Sequence, residues 1–458
     1  MKNHRKASTL YASVVAAGVF LVVIAGNKLL TIPIELMFFL VWLIVYPACM
    51  RLGYSFQEID AGVMEACKSG LGAVLILLAV GALVSAWMAA GTVPAIIYFG
   101  LRLINPQVFL LLTFWICSVV SMVCGTSWGT MGTVGVAMFA TGSSLGIPPS
   151  MTVGAIVSGS FLGDMLSPMG GSANVVSASC GVDLMLHCKE LAKITLPVFG
   201  VASVFYYGLG TRFAAQAFDP RYVTQVMDAL ANQFHIVPAV FLPIALLFLM
   251  LIAHSPAILS MLSSVLAAGA VAVLVQGVDV HQIGTVFWTG YQIQTENPFL
   301  NTLLNRGGVQ SMFATACMML FTCGIIGAFQ TAGILEAIVS PISRQIRGRL
   351  QLTLVSQTAA ILGNMMGTNT FSLLMTGSLM SPVYRRQNLH PVNLSKLAAA
   401  TSTIGCPLIP WNVSGLYVTA LFDIGTFSFA PFALLCYGMP LAALLFAALH
   451  IWVIPETE

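Results

Sequence analysis

Apolar runs close to the length of a bilayer crossing follow one another along almost the whole chain, and charge hardly interrupts them. Lys and Arg number 18 and Asp and Glu 15, together 7% of 458 residues, against roughly 25% in a soluble domain. With 58% apolar residues, a soluble globule, a disordered chain and a fibre are all excluded. At about 20 apolar residues per crossing, the chain holds about ten to thirteen transmembrane segments of an all-α polytopic membrane protein. The net charge of +3 is too small to suggest nucleic acid. Ten cysteines could pass for a disulfide set. However, Cys49, Cys117, Cys124, Cys317, Cys323 and Cys436 lie inside apolar runs and none forms C-x-x-C, so they read as small buried apolar residues.

The chain opens Met1-Lys2-Asn3-His4-Arg5-Lys6 before an apolar run from about Leu10 to Ala25. No A-x-A site precedes Asn27 and another apolar run follows, so the first run reads as a retained helix with a cytoplasmic N-terminus. Arg344, Arg347, Arg349, Arg385 and Arg386 are expected on the same face. Helices are expected at about 8–25, 30–50, 70–90, 108–124, 131–144, 150–162, 192–210, 235–253 and 256–275. In the second half they are expected at 311–330, 351–366, 371–383, 393–405 and 428–450. The polar stretches 213–233 and 277–309 are too short to fold alone.

Several apolar runs stop at clusters of Gly, Pro, Ser, Thr and Asn, not at hydrophilic loops. The four clusters are Gly125–Thr130, Gly163–Asn174, Gly367–Ser372 and Gly405–Gly415. A single shift of 242 residues relates them. It lays Gly125 on Gly367, Thr126 on Thr368, Gly135 on Gly377, Met138 on Met380 and Pro149 on Pro391. It also lays Ser160 on Ser402, Gly163 on Gly405, Leu166 on Leu408, Pro168 on Pro410 and, further upstream, Ala90-Gly91 on Ala332-Gly333. Matched Gly and Pro carry weight because they set backbone geometry. The organisation expected is N-terminal scaffold helices at 1–59, a first copy at 60–212, linker and scaffold helices at 213–304, and a second copy at 305–458.

Unwound backbone inside a bilayer is tolerated where it lines a cavity or is buried in protein. Duplicated pairs of breaks therefore point to the binding site of a secondary transporter. Thr126, Ser127, Thr130, Ser167, Ser172, Asn174, Thr368, Asn369, Thr370, Ser372, Trp411 and Asn412 are the candidate binding residues. They offer neutral polar groups and freed carbonyls for Na⁺ or a polar solute. Close packing of helices through small residues is the alternative use of such clusters. Gly163 and Asp164 complete the set. Asp164 is the one carboxylate at the edge of a break, a costly position kept for function. It is the candidate carrier of a proton and the candidate Na⁺ ligand. Its mate under the shift is Cys406. Asp60, Glu65, Asp219, Asp228 and Glu190 read as peripheral, Asp423 is ambiguous, and His254 and His450 read as helix-end residues.

Gly125–Thr130, Gly163–Asn174, the run Leu389–Ser395 and above all Pro407-Leu408-Ile409-Pro410-Trp411-Asn412 resemble the NhaC-type sodium/proton antiporter family over about 60–450. The resemblance implies a multi-pass protein of the bacterial-type plasma membrane. It implies two inverted repeats, each with a helical hairpin and a broken helix, a scaffold that often dimerises, and elevator-like movement. Hairpin tips would then fall at Gly125–Thr130 and Gly367–Ser372, and broken helices would open at Gly163–Asn174 and Gly405–Gly415. The family commonly reads G-D-x-x-S-P-x-x-D-T-T-N. This chain keeps Gly163, Asp164, Ser167, Pro168 and Asn174 but has Gly171, Ser172 and Ala173 in place of D-T-T. It also reads Leu397-Ala398-Ala399-Ala400 where the family tends to carry an acidic pair. Fewer carboxylates weaken a hard-cation site and make an organic acid or amino acid, coupled to H⁺ or Na⁺, the alternative cargo.

An intramembrane enzyme fits poorly. Phe161 stands where the G-x-G-D of membrane aspartyl proteases needs glycine. No H-E-x-x-H, P-loop or G-x-S-G is present, and no cofactor motif is read.

Overall fold

The computed structural model describes all residues except 1–5, 104, 218–219, 254, 295–300, 302–303, 306, 340–347, 367, 450, 452 and 456–458. The leader through Arg5, together with Asp219, His254, Arg344, Arg347, Gly367 and His450, lies outside the described residues. The described residues form an all-α polytopic protein. Ten elements position the site, here numbered in chain order. They are α1 (Phe56–Ala89), α2 (Pro106–Cys124), α3 (Pro149–Leu166), α4 (Gly171–Cys180) and α5 (Leu184–Ala217). The second half contributes α6 (Phe313–Thr331), α7 (Arg349–Met366), α8 (Asn369–Arg386), α9 (Val392–Ala398) and α10 (Val413–Phe422).

By length and apolarity, five helices among the described residues can cross a membrane unaided, and three bent pairs bring the number to eight. The remainder of the ten to thirteen passes would have to come from shorter apolar segments such as Thr9–Val23 and Glu35–Met50. The breaks are narrower than the polar clusters suggested. α2 ends at Cys124, Gly125 takes a left-handed turn with φ 65°, and helix resumes at Ser127. Thr130 is therefore inside helix. That helix runs on through a π-turn at Met131–Gly135 into Val136–Ser144. Likewise α8 begins at Asn369, so Thr370 and Ser372 are helical. The short helices α4 and α10, each ten residues, start inside the expected breaks and were not foreseen as helices.

The shift of 242 residues that aligns Gly and Pro also aligns helix limits. α2 begins at 106 and ends at 124, and α7 runs from 349 to 366. α4 spans 171–180 and α10 spans 413–422. Gly91 and Gly333 both carry positive φ, at 73° and 64°. α4 and α10 both end in a left-handed cap, Gly181 at φ 67° and Asp423 at φ 57°. In a glycine this cap is strain-free, and aspartate is among the few other residues that tolerate it.

Packing follows small residues. α1 lies along α6, with the backbone carbonyl of Gly62 facing Gly327, and α2 lies along α3. At the second seam Gly163 sits directly against the backbone of Ser121 and Met122, leaving no room for a Cβ. Such approach lets apolar helices gain dispersion contacts where water supplies no driving force. Seven of the ten cysteines are buried, Cys67 and Cys124 are half-buried, and all ten are free. Cys317, in α6, departs from expectation in being exposed.

Candidate functional site

Helix ends build the site. At the first hairpin tip the Thr126 Oγ1 accepts the Gly129 N–H at 3.3 Å. At the second, Thr368 Oγ1 accepts the Phe371 N–H at 3.2 Å. Asn412 Oδ1 accepts the Ser414 N–H at 3.0 Å and starts α10, which is bent 43° from the preceding segment Val392–Leu408. α4 starts at Gly171 with no side-chain cap. Side-chain caps satisfy one of the free N–H groups of a helix start.

The four starts face one cavity of about 740 Å³. Thr126, Ser127, Asp164, Ser172, Thr368, Asn369, Thr370 and Asn412 line it. Its far wall is α1 and α6, through Gly62, Glu65, Gly327 and Gln330 among others. Among the described residues no Lys, Arg or His lines it. The Glu65 carboxylate is turned to Lys68 at 3.6 Å in a largely exposed pair, which contributes little.

Asp164 is half-buried in the last turn of α3. Its Oδ2 accepts the Ser127 hydroxyl at 3.1 Å, and its Oδ1 faces the Ser172 N–H at 3.4 Å. From there hydrogen bonds cross to the other half of the chain. Asn369 Nδ2 donates to Ser172 Oγ at 2.9 Å, and Ser402 Oγ donates to Asn369 Oδ1 at 3.0 Å. Asn364 Nδ2 donates to the Ser402 carbonyl at 2.7 Å, and Asn412 Nδ2 to the Asn364 carbonyl at 2.9 Å. The tip of the second hairpin thus touches the first broken helix. The tip of the first touches α10 in turn. The Tyr417 hydroxyl donates to the Trp128 carbonyl at 2.9 Å, and the two rings stack at 4.8 Å.

The remaining candidates lie outside the cavity lining. Thr130 donates to the Thr126 carbonyl at 2.8 Å and Ser372 to the Ala360 carbonyl at 2.7 Å, each tying its hairpin together. Ser167 donates to the Met122 carbonyl at 2.7 Å and pins the first break to α2. Asn174 is exposed, and its amide is spent on the Pro168 and Gly170 carbonyls at 3.0 and 2.9 Å. Trp411 Nε1 donates to the Met365 carbonyl at 2.7 Å and holds the second break against α7. Gly163 serves the α2–α3 seam. The reading of breaks missed Asn364, Ser402 and Ser414, because Asn364 and Ser402 precede the breaks, inside helical segments, Ser402 on the π-turn Ala399–Thr403. Their shared signal was a polar residue on an otherwise apolar helix. Cys406, the mate of Asp164, is fully buried and donates to Ser414 Oγ at 3.2 Å.

A helix-built cavity with the Asp164 carboxylate among four helix starts and neutral oxygens, and Glu65 on the far wall, is the geometry of a membrane transporter's binding site. Known proteins agree. The model of the Na⁺/H⁺ antiporter family matches residues 3–189 and 162–451. A malate-2H⁺/Na⁺-lactate antiporter of Bacillus subtilis (strain 168) is 34% identical over 94% of this chain and 92% of its own length. The Na⁺/H⁺ antiporter NhaC of Alkalihalophilus pseudofirmus is 29% identical over 89% of this chain and 88% of its own. An arginine/ornithine antiporter, ArcD, of Halobacterium salinarum is 29% identical over 83% and 79%. With the family pattern matched across nearly its whole length and the breaks gathered on one cavity, this chain belongs to the Na⁺/H⁺ antiporter family.

Proposed function

We propose that the chain exchanges Na⁺ for H⁺ as a secondary transporter of the bacterial plasma membrane. One observation carries this reading. The Asp164 carboxylate stands in a cavity of hydroxyl and amide oxygens with no basic side chain among the described lining residues. A carboxylate so placed is neutralised by a proton or by a cation, but not fully by both at once. That exclusivity couples the two fluxes. Thr126, Ser127, Ser172 and Asn369 supply the neutral oxygens that a hard cation takes. The 242-residue correspondence of helix limits supports two copies, which we take as inverted, with the hairpins and broken helices moving against α1 and α6 to alternate access. The N-terminus is cytoplasmic, and the scaffold helices form the homodimer contact. In proteoliposomes, an imposed Na⁺ gradient should drive proton movement of opposite sense. Proton movement that ignores Na⁺ and Li⁺ would defeat the reading.

A second reading has its own observation. Four helix starts point partial positive charge at the cavity, which suits an anion beside the cation. An organic carboxylate carried with or against Na⁺ and H⁺ fits that field, and one relative is named for malate and lactate. A ligand at 100 times its Kd stabilises by about 2.7 kcal/mol. A melting point that rises with malate, lactate or another carboxylate, and not with Na⁺, favours this reading. A rise with Na⁺ or Li⁺ alone removes it.

A further inference from the structure

Among the described residues, Glu190 and Lys396 are the buried members of the Asp, Glu, Lys and Arg set, at 4% and 5% exposure. Neither lines the cavity. Glu190, on α5, receives Lys193 Nζ at 2.6 Å on Oε1, and Lys396 Nζ of α9 stands 4.0 Å from Oε2. Beside this pair a second bridge joins the same two helices, His187 Nδ1 to Ser395 Oγ at 3.0 Å. Both His187 and Ser395 are fully buried.

A buried ion pair is a poor stabiliser, because desolvation offsets the attraction and apolar packing does as well or better. The chain supplies that apolar version itself. Under the 242-residue shift Glu190 corresponds to Phe432 and Lys396 to Gly154. Gly154 packs directly on Phe432, closed by the Tyr206 hydroxyl, which donates to the Phe432 carbonyl at 2.7 Å. One contact is apolar, and its counterpart is charged.

The charged version stands at the base of the hydrogen-bonded path to Asp164. α9 runs straight into a π-turn at Ala399–Thr403, and Ser402 on that turn holds Asn369 and, through it, Ser172. Six residues of helix, about 9 Å, separate Lys396 from Ser402. We propose that Glu190 and Lys396 are positioning residues for the cation site. Their pairing sets the height of α9 on α5, and so the place of Ser402 and Asn369 against Ser172 and Asp164.

The proposal rests on the Na⁺/H⁺ reading, and a double-mutant cycle tests it separately. Glu190→Gln, Lys396→Met and the double variant are compared in proteoliposomes for the KM of Na⁺ and the maximal rate, with melting points in detergent. Glu190→Gln removes the carboxylate facing the buried Lys396 charge and should raise the KM about 10-fold or more. Lys396→Met should be milder, about 3-fold, because Lys193 stays on Glu190. The double variant should return to within about 3-fold of wild type, since both buried charges are gone. A double variant no better than Glu190→Gln would overturn the proposal, and so would single variants that melt earlier at unchanged KM. If Glu190→Gln does not fold, Lys396→Met decides alone: an unchanged KM for Na⁺ with an earlier melting point would overturn the proposal. A wild type without Na⁺ dependence would instead sink the exchange reading beneath it.

Discussion

The two stretches related by 242 residues share a backbone plan and differ in charge. Both have a hairpin tip capped by threonine, Thr126 and Thr368, and both have a ten-residue helix after the break. Where the first stretch has Asp164 facing Ser172, the second has Cys406 on Ser414 at the corresponding positions. Where the second stretch has Lys396, paired to Glu190, the first has Gly154 under Phe432. The lesson is that geometry and chemistry are separable here. Paired breaks make the cavity, whereas the carboxylate at the first break, Asp164, has no counterpart at the second. One carboxylate also costs less membrane-depth charge than two.

The largest expected effect tests that asymmetry directly. Asp164→Asn keeps the shape and a hydrogen-bonding oxygen but removes the titratable charge. Na⁺-driven proton movement in proteoliposomes should fall at least about 100-fold, the scale of losing a group that both cargoes need. Cys406→Ser, at the mated position, should stay within about 2-fold, a change of roughly 0.4 kcal/mol. Wild-type exchange by Asp164→Asn would move the proton elsewhere, with Asp423 the next carboxylate to replace.

Packing offers the next contrast. Gly163 has the Ser121 backbone where a Cβ would stand, while its mate Gly405 has open space there. Gly163→Ala should lower stability by about 1–3 kcal/mol, read as an earlier melting point. Gly405→Ala should be neutral or stabilising by a few tenths to about 1 kcal/mol. Equal melting points for the two variants would show that the α2–α3 seam yields easily.

Smaller effects test the crossing between halves. Asn369→Ala removes the bond to Ser172 and should weaken Na⁺ affinity about 3- to 10-fold, the value of one hydrogen bond near a charge. Tyr417→Phe removes only the bond to the Trp128 carbonyl and keeps the ring stack. It should cost about 0.5–1.5 kcal/mol of stability with the KM for Na⁺ unchanged. A KM shift in Tyr417→Phe larger than in Asn369→Ala would reverse their assigned roles.

Legibility was uneven across these residues. Thr126, Thr368 and Asn412 could be found because a polar residue beside Gly or Pro interrupts an apolar run, and that is also what a helix cap needs. Asn174 belonged to the same motif, yet it faces away from the cavity, since α4 turns it outward onto two backbone carbonyls. Ser402 and Asn364 showed only as polar residues within helix, and nothing in the neighbouring residues says which face of a buried helix meets another hairpin. Glu190 read as peripheral because it was placed at a helix end, and only the laying of α9 over α5 buries it.

What the residues determined by themselves is the solvent and the breaks. A chain with 7% charge must lie in lipid. Gly, Pro and capping Thr or Asn set where its helices stop, because those effects act within one turn of backbone. The tertiary structure alone decided which stops meet. Asn369 touches Ser172 across 197 residues, and Tyr417 touches Trp128 across 289. Such pairings depend on how whole helices stack, and apolar helix surfaces in a membrane look alike until small residues and buried polar groups choose a partner.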